Sequence, residues 1–343
     1  PRAPYLFLDR ITSVNSPMYQ QTVGGVIVGQ FDVDPDAWYF RANRQKFLPF
    51  GVLLEFPLQV CGFMAAYMGS AMTSTGDLHF RNLDGKATLC ENLDRYIGTL
   101  TATITVTKVA QSGGMIIQSY DMNVTKQGRT LYRGETTFGF FSRSALANQL
   151  GVRGANPYEP TTEEASRHVP FDLVEMPPMV PNDSEHSGLY GINLPARCWQ
   201  MNDEIALFVP DGGPNGLGFI RGRKAVRPEE WFFHAHFYQD PVIPGSLGLE
   251  AFLQLLRVVA VQRWGKECSG PEWQFESIAV GAEHSWSYRG QIIRTNKEVL
   301  TEAVIEEIDD VDRKISARGY LKVDGLVIYI LDKFSVRVVK SPS

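Results

Sequence analysis

Apolar and polar positions along this chain run through the same succession of patterns twice. Residues 24–35 (GGVIVGQFDVDP) and 218–228 (GFIRGRKAVRP) both alternate as half-buried strands do. Each is followed by an acidic-aromatic cluster, Asp36-Ala-Trp-Tyr-Phe40 in the first case and Glu229-Glu-Trp-Phe-Phe233 in the second. A Pro-containing turn then leads into a long apolar segment, 49–72 or 244–265. Setting Pro49 on Pro244 places Glu55 on Glu250 and Gln59 on Gln254, a constant offset of 195. The endings agree as well: 126–141 (KQGRTLYRGETTFGFF) and 322–338 (KVDGLVIYILDKFSVRV) read as hairpins with a Gly turn and an alternating last strand. The chain is one unit written twice.

Each copy predicts short N-terminal structure, one helix of roughly 15 to 20 residues, then several strands. The helical segments are apolar on nearly all sides, so each must be enclosed rather than laid on a surface. Periodicity therefore gives an α+β fold with one dominant buried helix per repeat. Pro57 lies just beyond Glu55, where it removes a helical N–H. Either the first helix starts late, with Pro57 in its first turn, or it is kinked there.

Between the copies, residues 143–190 hold six of the 20 prolines among polar residues and read as a linker over the surface. The expected organisation is a first repeat at 1–142, this linker, and a second repeat at 191–343, with MNDEI at 201–205 matching the LDRI that opens the first copy. A start at Pro1-Arg2 rather than Met suggests a piece of something longer.

Composition narrows the classes. Hydrophobic residues at 44% and charged residues at 21% fit a globular protein. A net charge of -5 offers no cationic footprint for nucleic acid. No stretch of roughly 18 uncharged apolar residues predicts a membrane span, and no signal-peptide pattern opens the chain. Cys61, Cys90, Cys198 and Cys268 are scattered without CxxC spacing, so they read as buried small hydrophobes in a reducing cytoplasm, with no metal site.

Residues 231–254, WFFHAHFYQDPVIPGSLGLEAFLQ, resemble the signature of the β-hydroxydecanoyl-acyl-carrier-protein dehydratase family. That signature runs W-F-F, two variable residues, H-F, two more, D-P-V, a hydrophobic residue, P-G and an acidic residue on the helix. With RNLDG at 81–85, the wider arrangement resembles the tandem dehydratase region of polyunsaturated fatty acid synthases. The resemblance implies a double hot-dog fold: two antiparallel sheets, each wrapping one long helix, packed as a pseudo-dimer. It implies loss of water from a 3-hydroxyacyl thioester, with or without migration of the new double bond, and no cofactor. The implied partners are an acyl carrier protein with its phosphopantetheine-linked chain and neighbouring synthase domains. A further pairing of the tandem as a homodimer stays open.

Dehydration needs a base for the proton next to the thioester and an acid for the departing hydroxyl. A neutral His serves the first need, and a carboxyl in a pKa-raising apolar pocket the second. In the resembled family, the His and the acid come from opposite hot-dogs. Carried over, His236 of the second repeat meets Glu55 of the first, with Gln59 one helical turn away either bonding that carboxyl or lining the tunnel. The backbone N–H of Gly245, at a helix start, would receive charge on the thioester oxygen.

The remaining site would join Glu250 to the first repeat's His position. Counting five residues from Trp38, as His236 follows Trp231, reaches Asn43; counting back from Pro49 reaches Arg41. Neither is a base, so one working site and one relic are expected. His234 reads as a structural residue on the same strand face as His236, and Asp240, before Pro241, as a turn residue. His79, His168, His186 and His284 are isolated. Two rival functions fit the pattern: a hot-dog thioesterase, and a non-catalytic chain-length or docking module.

Overall fold

The computed structural model describes residues 1–73, 76–112, 114–173 and 192–340. The first repeat contributes β1 (Arg10–Asn15), β2 (Val26–Asp32), α1 (Trp38–Asn43), α2 (Phe50–Tyr67), β3 (Leu78–Leu89), β4 (Thr99–Ser112), β5 (Met115–Lys126) and β6 (Arg129–Ser142). Two short helices follow, α3 (Arg143–Ala147) and α4 (Thr162–Ser166). The second repeat gives β7 (Glu204–Val209), β8 (Phe219–Ala225), α5 (Trp231–Ala235), α6 (Gly245–Trp264), β9 (Trp273–Phe275), β10 (Glu283–Tyr288), β11 (Glu298–Asp309), β12 (Lys314–Val323) and β13 (Leu326–Lys340).

These strands join one antiparallel sheet in the order β1-β2-β4-β5-β6-β3-β10-β13-β12-β11-β8-β7, with β9 added on β13. Read from either end towards the centre, the order is the same, so the β3–β10 pair lies on a pseudo-twofold axis. At that seam Gly85 faces Trp286. A Cβ on Gly85 would stand 2.2 Å from the indole, so only glycine lets Trp286 lie flat across the join. The predicted hairpin turns form as read. Gln127-Gly128 and Asp324-Gly325 both take positive φ, the geometry of two-residue turns that match the twist of their strands.

The sheet wraps α2 and α6, and both helices are buried along most of their length. Each begins directly after its proline, Pro49 or Pro244. The late start considered for the first helix is therefore wrong: α2 runs unbroken from Phe50 with Pro57 inside it. By length and composition residues 50–72 could cross a bilayer, but this helix is the sheathed core of the first repeat. Gln59 and Gln254 play matching parts here. Gln59 accepts from Phe7 N at 2.9 Å and donates to Tyr5 O at 2.9 Å. Gln254 accepts from Met201 N at 2.8 Å and donates to Trp199 O at 2.9 Å. Each ties its helix to the chain entering its repeat.

The aromatic clusters form the other half of the seam. Trp38 and Trp231 meet edge to face at 5.3 Å, with Trp199 5.5 Å from Trp38. Residues 143–173 lie against the second repeat: Val152 N bonds Val327 O, and Glu159 reaches Arg221 and Lys322. His186 lies outside the described residues. The cysteine expectation holds for Cys61 and Cys268 only, because Cys90 and Cys198 sit in exposed segments outside the strands and long helices. His168 is structural, accepting from Phe208 N at 2.9 Å.

His284 is fully buried in β10, stacked beside Tyr132 and Trp286, with Nε2 2.9 Å from the Tyr132 hydroxyl. Burial pulls its pKa down to about 3. Between that value and the ordinary one near 6.5, the unfolded chain binds a proton that the native state refuses. Stability therefore falls as pH drops through this window, by about 1.4 kcal/mol per pH unit for one such group. We expect urea midpoints of the wild type to fall more steeply from pH 6 to pH 4 than those of His284→Gln. Parallel slopes would contradict the assignment.

Candidate active site

The segment read as a strand around His236 is instead helix α5, and His236 is its C-terminal cap. The chain then turns through 237–243, with Gln239 at positive φ, and enters α6. The His236 ring stacks on Phe237 at 3.9 Å, and its Nδ1 lies 3.0 Å from Val242 O. A carbonyl only accepts, so Nδ1 carries the hydrogen and Nε2 keeps its lone pair. Burial pushes the His236 pKa down to about 3, which leaves the ring neutral near pH 7. His234 is in the same short helix, more exposed, beside Arg294.

Glu55 lies in the second turn of α2 and is 5% exposed. Its Oε2 accepts from Ser246 Oγ at 2.6 Å and its Oε1 from Gln59 Nε2 at 3.1 Å. Ser246 also bonds the Tyr5 hydroxyl at 2.8 Å. These donors favour the carboxylate, but burial outweighs them and raises the pKa of Glu55 above the usual range. Glu55, Gln59, His236, Gly245 and Ser246 all line one cavity of about 450 Å³. The rest of its wall is mainly apolar, including Leu54, Leu58, Phe63, Phe80, Phe138 and Leu249. Gly245 opens α6, so its N–H has no carbonyl one turn back to bond and stands at the positive end of the helix. Four predicted site residues, His236, Glu55, Gln59 and Gly245, thus share one chamber built from both repeats.

The other two do not reach it. Asn43 and Glu250 are drawn together by Arg257, a fully buried cation in α6. Arg257 Nη1 donates to Asn43 Oδ1 at 2.8 Å and stands 3.5 Å from Glu250 Oε1. By the offset of 195 between the helices, Arg257 matches Gly62, which lines the open chamber. Where one half leaves room for a ligand, the other inserts a guanidinium. Of the two residues reached by counting, Arg41 is exposed and Asn43 buried.

Sequence reasoning missed Ser246, Tyr5, Arg257 and a cluster around Arg81. Arg81 is buried beside the chamber and makes a two-pronged salt bridge to Asp240 at 2.6 and 2.8 Å. His79 Nδ1 also meets Asp240, at 3.1 Å, so neither His79 nor Asp240 is the isolated or simple turn residue expected. A signal existed for three of the four: Arg81 opens the RNLDG motif, Ser246 follows Pro244-Gly245, and Arg257 interrupts an apolar helix, whereas nothing around Tyr5 marks it.

A sheet folded twice about two enclosed helices, with one chamber shared between the halves, defines a double hot-dog protein. The chain belongs to the FabA-like domain family, whose model matches residues 1–135 and 194–332. It is 31% identical over 328 residues to a polyunsaturated fatty acid synthase polypeptide of Thraustochytrium sp. (strain ATCC 26185 / S-3), covering 92% of this chain and 22% of that one. The chain thus spans about a fifth of the length of this curated relative. A putative oleoyl thioesterase from Lactobacillus plantarum superposes with a TM-score of 0.51 at 9% identity, over 93% of this chain and 97% of that one. A dehydratase domain from the CurJ module of curacin polyketide synthase gives a TM-score of 0.47 at 13% identity, over 97% and 96%. At such identities the first likeness speaks to the fold alone, and nothing is drawn from the second.

Arg257 is a buried cation whose Nε and Nη2 find no partner among the described residues. Its removal would strand Glu250. Arg257→Met should therefore cost about 3–5 kcal/mol in denaturant unfolding, and adding Glu250→Gln should return most of that loss. A single variant as stable as the wild type would contradict this account of the closed half.

Proposed function

We propose that the chain is a 3-hydroxyacyl thioester dehydratase working inside a fatty-acid or polyketide-type synthase. The observation that carries this reading is the chamber in which Glu55 of the first repeat and His236 of the second share apolar walls. Their pKa values are displaced in opposite directions, one towards a neutral acid and one towards a neutral base. Elimination of water needs that pair. His236 Nε2 takes the proton from the carbon next to the thioester. Glu55 gives its proton to the hydroxyl on the next carbon, and water leaves as the double bond forms. Negative charge on the thioester oxygen meets the first N–H groups of α6, at Gly245 and Ser246.

The step turns a neutral pair into an imidazolium and a carboxylate. Each opposes the desolvation cost of the other, and Ser246 and Gln59 already donate to the carboxylate formed. Proton transfer from His236 back to Glu55 restores the resting pair. The substrate would arrive on the phosphopantetheine arm of an acyl carrier protein, supplied by neighbouring synthase domains. The apolar wall suits an acyl chain.

Three variants test the assignment, assayed for water loss and, in parallel, for release of free thiol. His236→Ala should lower kcat about 10²–10⁴-fold without unfolding the chain. Glu55→Gln should fall about as far, and the double variant little further, because members of one catalytic unit are not additive. Glu250→Gln should keep far more activity. Strong loss from Glu250→Gln with Glu55→Gln near wild type would move the acid to the second repeat. Thiol release without water loss would favour a thioesterase.

A further inference from the structure

The duplication supplies an internal comparison, since each residue around the open chamber has a counterpart around the closed one. The offset of 195 sets Phe80-Arg81 on Phe275-Glu276 and Gln45 on Asp240. The isolated bridges Phe47–Asp94 and Val242–Ile293 match across the axis, which sets Asn92 on Gln291. Around the open chamber these positions hold Arg81, Asp240 and Gln291; around the closed one, Glu276, Gln45 and Asn92.

Arg81 uses every hydrogen it has. Nε and Nη2 donate to Gln291 Oε1 at 3.1 and 2.7 Å. Nη1 and Nη2 donate to the two Asp240 oxygens, and Nη1 also to Phe80 O at 2.8 Å. A guanidinium has five N–H groups, so this one lines the chamber with no donor left for an anionic ligand. Its work is to hold Asp240, which lies midway along the 237–243 loop. That loop begins at His236 and returns with Val242, whose carbonyl fixes the His236 Nδ1 hydrogen. Arg81 belongs to β3 of the first repeat, the repeat that carries Glu55.

The closed half has lost this arrangement. Glu276 accepts from Asn92 Nδ2 at 2.9 Å and Val280 N at 2.7 Å, and Gln45 Oε1 accepts from Phe275 N at 2.9 Å. No ion pair can form between Glu276 and Gln45, and the position of the His is Asn43.

We propose that Arg81 is a positioning residue: through Asp240 it latches the 237–243 loop of the second repeat to the first, and so holds the His236 ring in one tautomer facing Glu55. The proposal rests on the reading of His236 as the base. It also explains why the latch survives only beside a histidine.

The test uses Arg81→Gln and Asp240→Asn in the full chain, with a 3-hydroxyacyl pantetheine thioester as substrate and ¹⁵N-histidine NMR without substrate. Both variants should lose kcat about 10–10²-fold with KM changed less than about threefold, and the double variant should match the singles. Arg81→Lys should rescue little, because an ammonium cannot make the forked contact. The His236 ¹⁵N shifts, assigned with His236→Ala, should move from the Nδ1–H tautomer towards a mixture. Unmoved shifts in both variants would overturn the proposal whatever the activity, as would a rise in KM with kcat intact. Moved shifts in the variants, with a wild type that dehydrates nothing, would uphold the latch and sink the proposed function instead. Should Arg81→Gln fail to fold, Asp240→Asn, which keeps shape and size, decides.

Discussion

Each long helix buries a carboxyl against the first turn of the other, and the rest of the structure depends on that exchange. Glu55 of α2 accepts from Ser246 in α6, and Glu250 of α6 accepts from Gly51 N in α2 at 3.2 Å. Gly51 and Ser246 are themselves counterparts, so the two carboxyls meet equivalent positions, one through a side-chain hydroxyl and the other through a backbone N–H. Carboxyls at helix starts are favourably placed. Here they also fix where the two helices cross, and hence where the chamber opens between the repeats.

From this symmetric frame the two halves have diverged in charge. Around the open chamber burial shifts Glu55 and His236 in opposite directions, each towards its neutral form, and Arg81 and Asp240 pair with each other at the wall. Around the closed one Asn43 stands where counting from the Trp places the histidine, and Arg257 occupies the position equivalent to Gly62. A carboxyl kept in apolar surroundings can serve as an acid only if no cation stabilises its charged form. Among the described residues no Arg or Lys side chain pairs with Glu55, whereas Glu250 lies 3.5 Å from the Arg257 guanidinium. The half without a histidine at this position is thus also the half that carries the buried cation.

Much of this was legible in the sequence because duplication makes spacing informative. The offset of 195 gave the paired helices and the paired glutamates, the count from the paired tryptophans gave Asn43 opposite His236, and the all-round apolar helices required enclosure. What it could not give was anything set by contact across the seam. The WFF segment alternates too little to separate a one-turn helix from a strand, so α5 reads as strand until its packing is known. Pro57 looks like a boundary, yet burial in the sheet holds α2 helical through it. Asp240 looks like a turn residue because its partners, Arg81 and His79, are more than 150 positions away in sequence. Cys90 and Cys198 show the limit of composition, which says nothing of which side a strand end or loop presents.

The proposed mechanism requires that Glu55 is a neutral carboxyl sharing its chamber with a neutral imidazole before substrate arrives. The most direct measurement is an infrared difference spectrum between the wild type and Glu55→Gln at pH 7. A protonated carboxyl in an apolar wall should appear as a C=O stretching band present in the wild type and missing from the variant. A difference spectrum showing only the loss of a carboxylate pair of bands would mean that Glu55 is ionised at rest, and it could not be the acid.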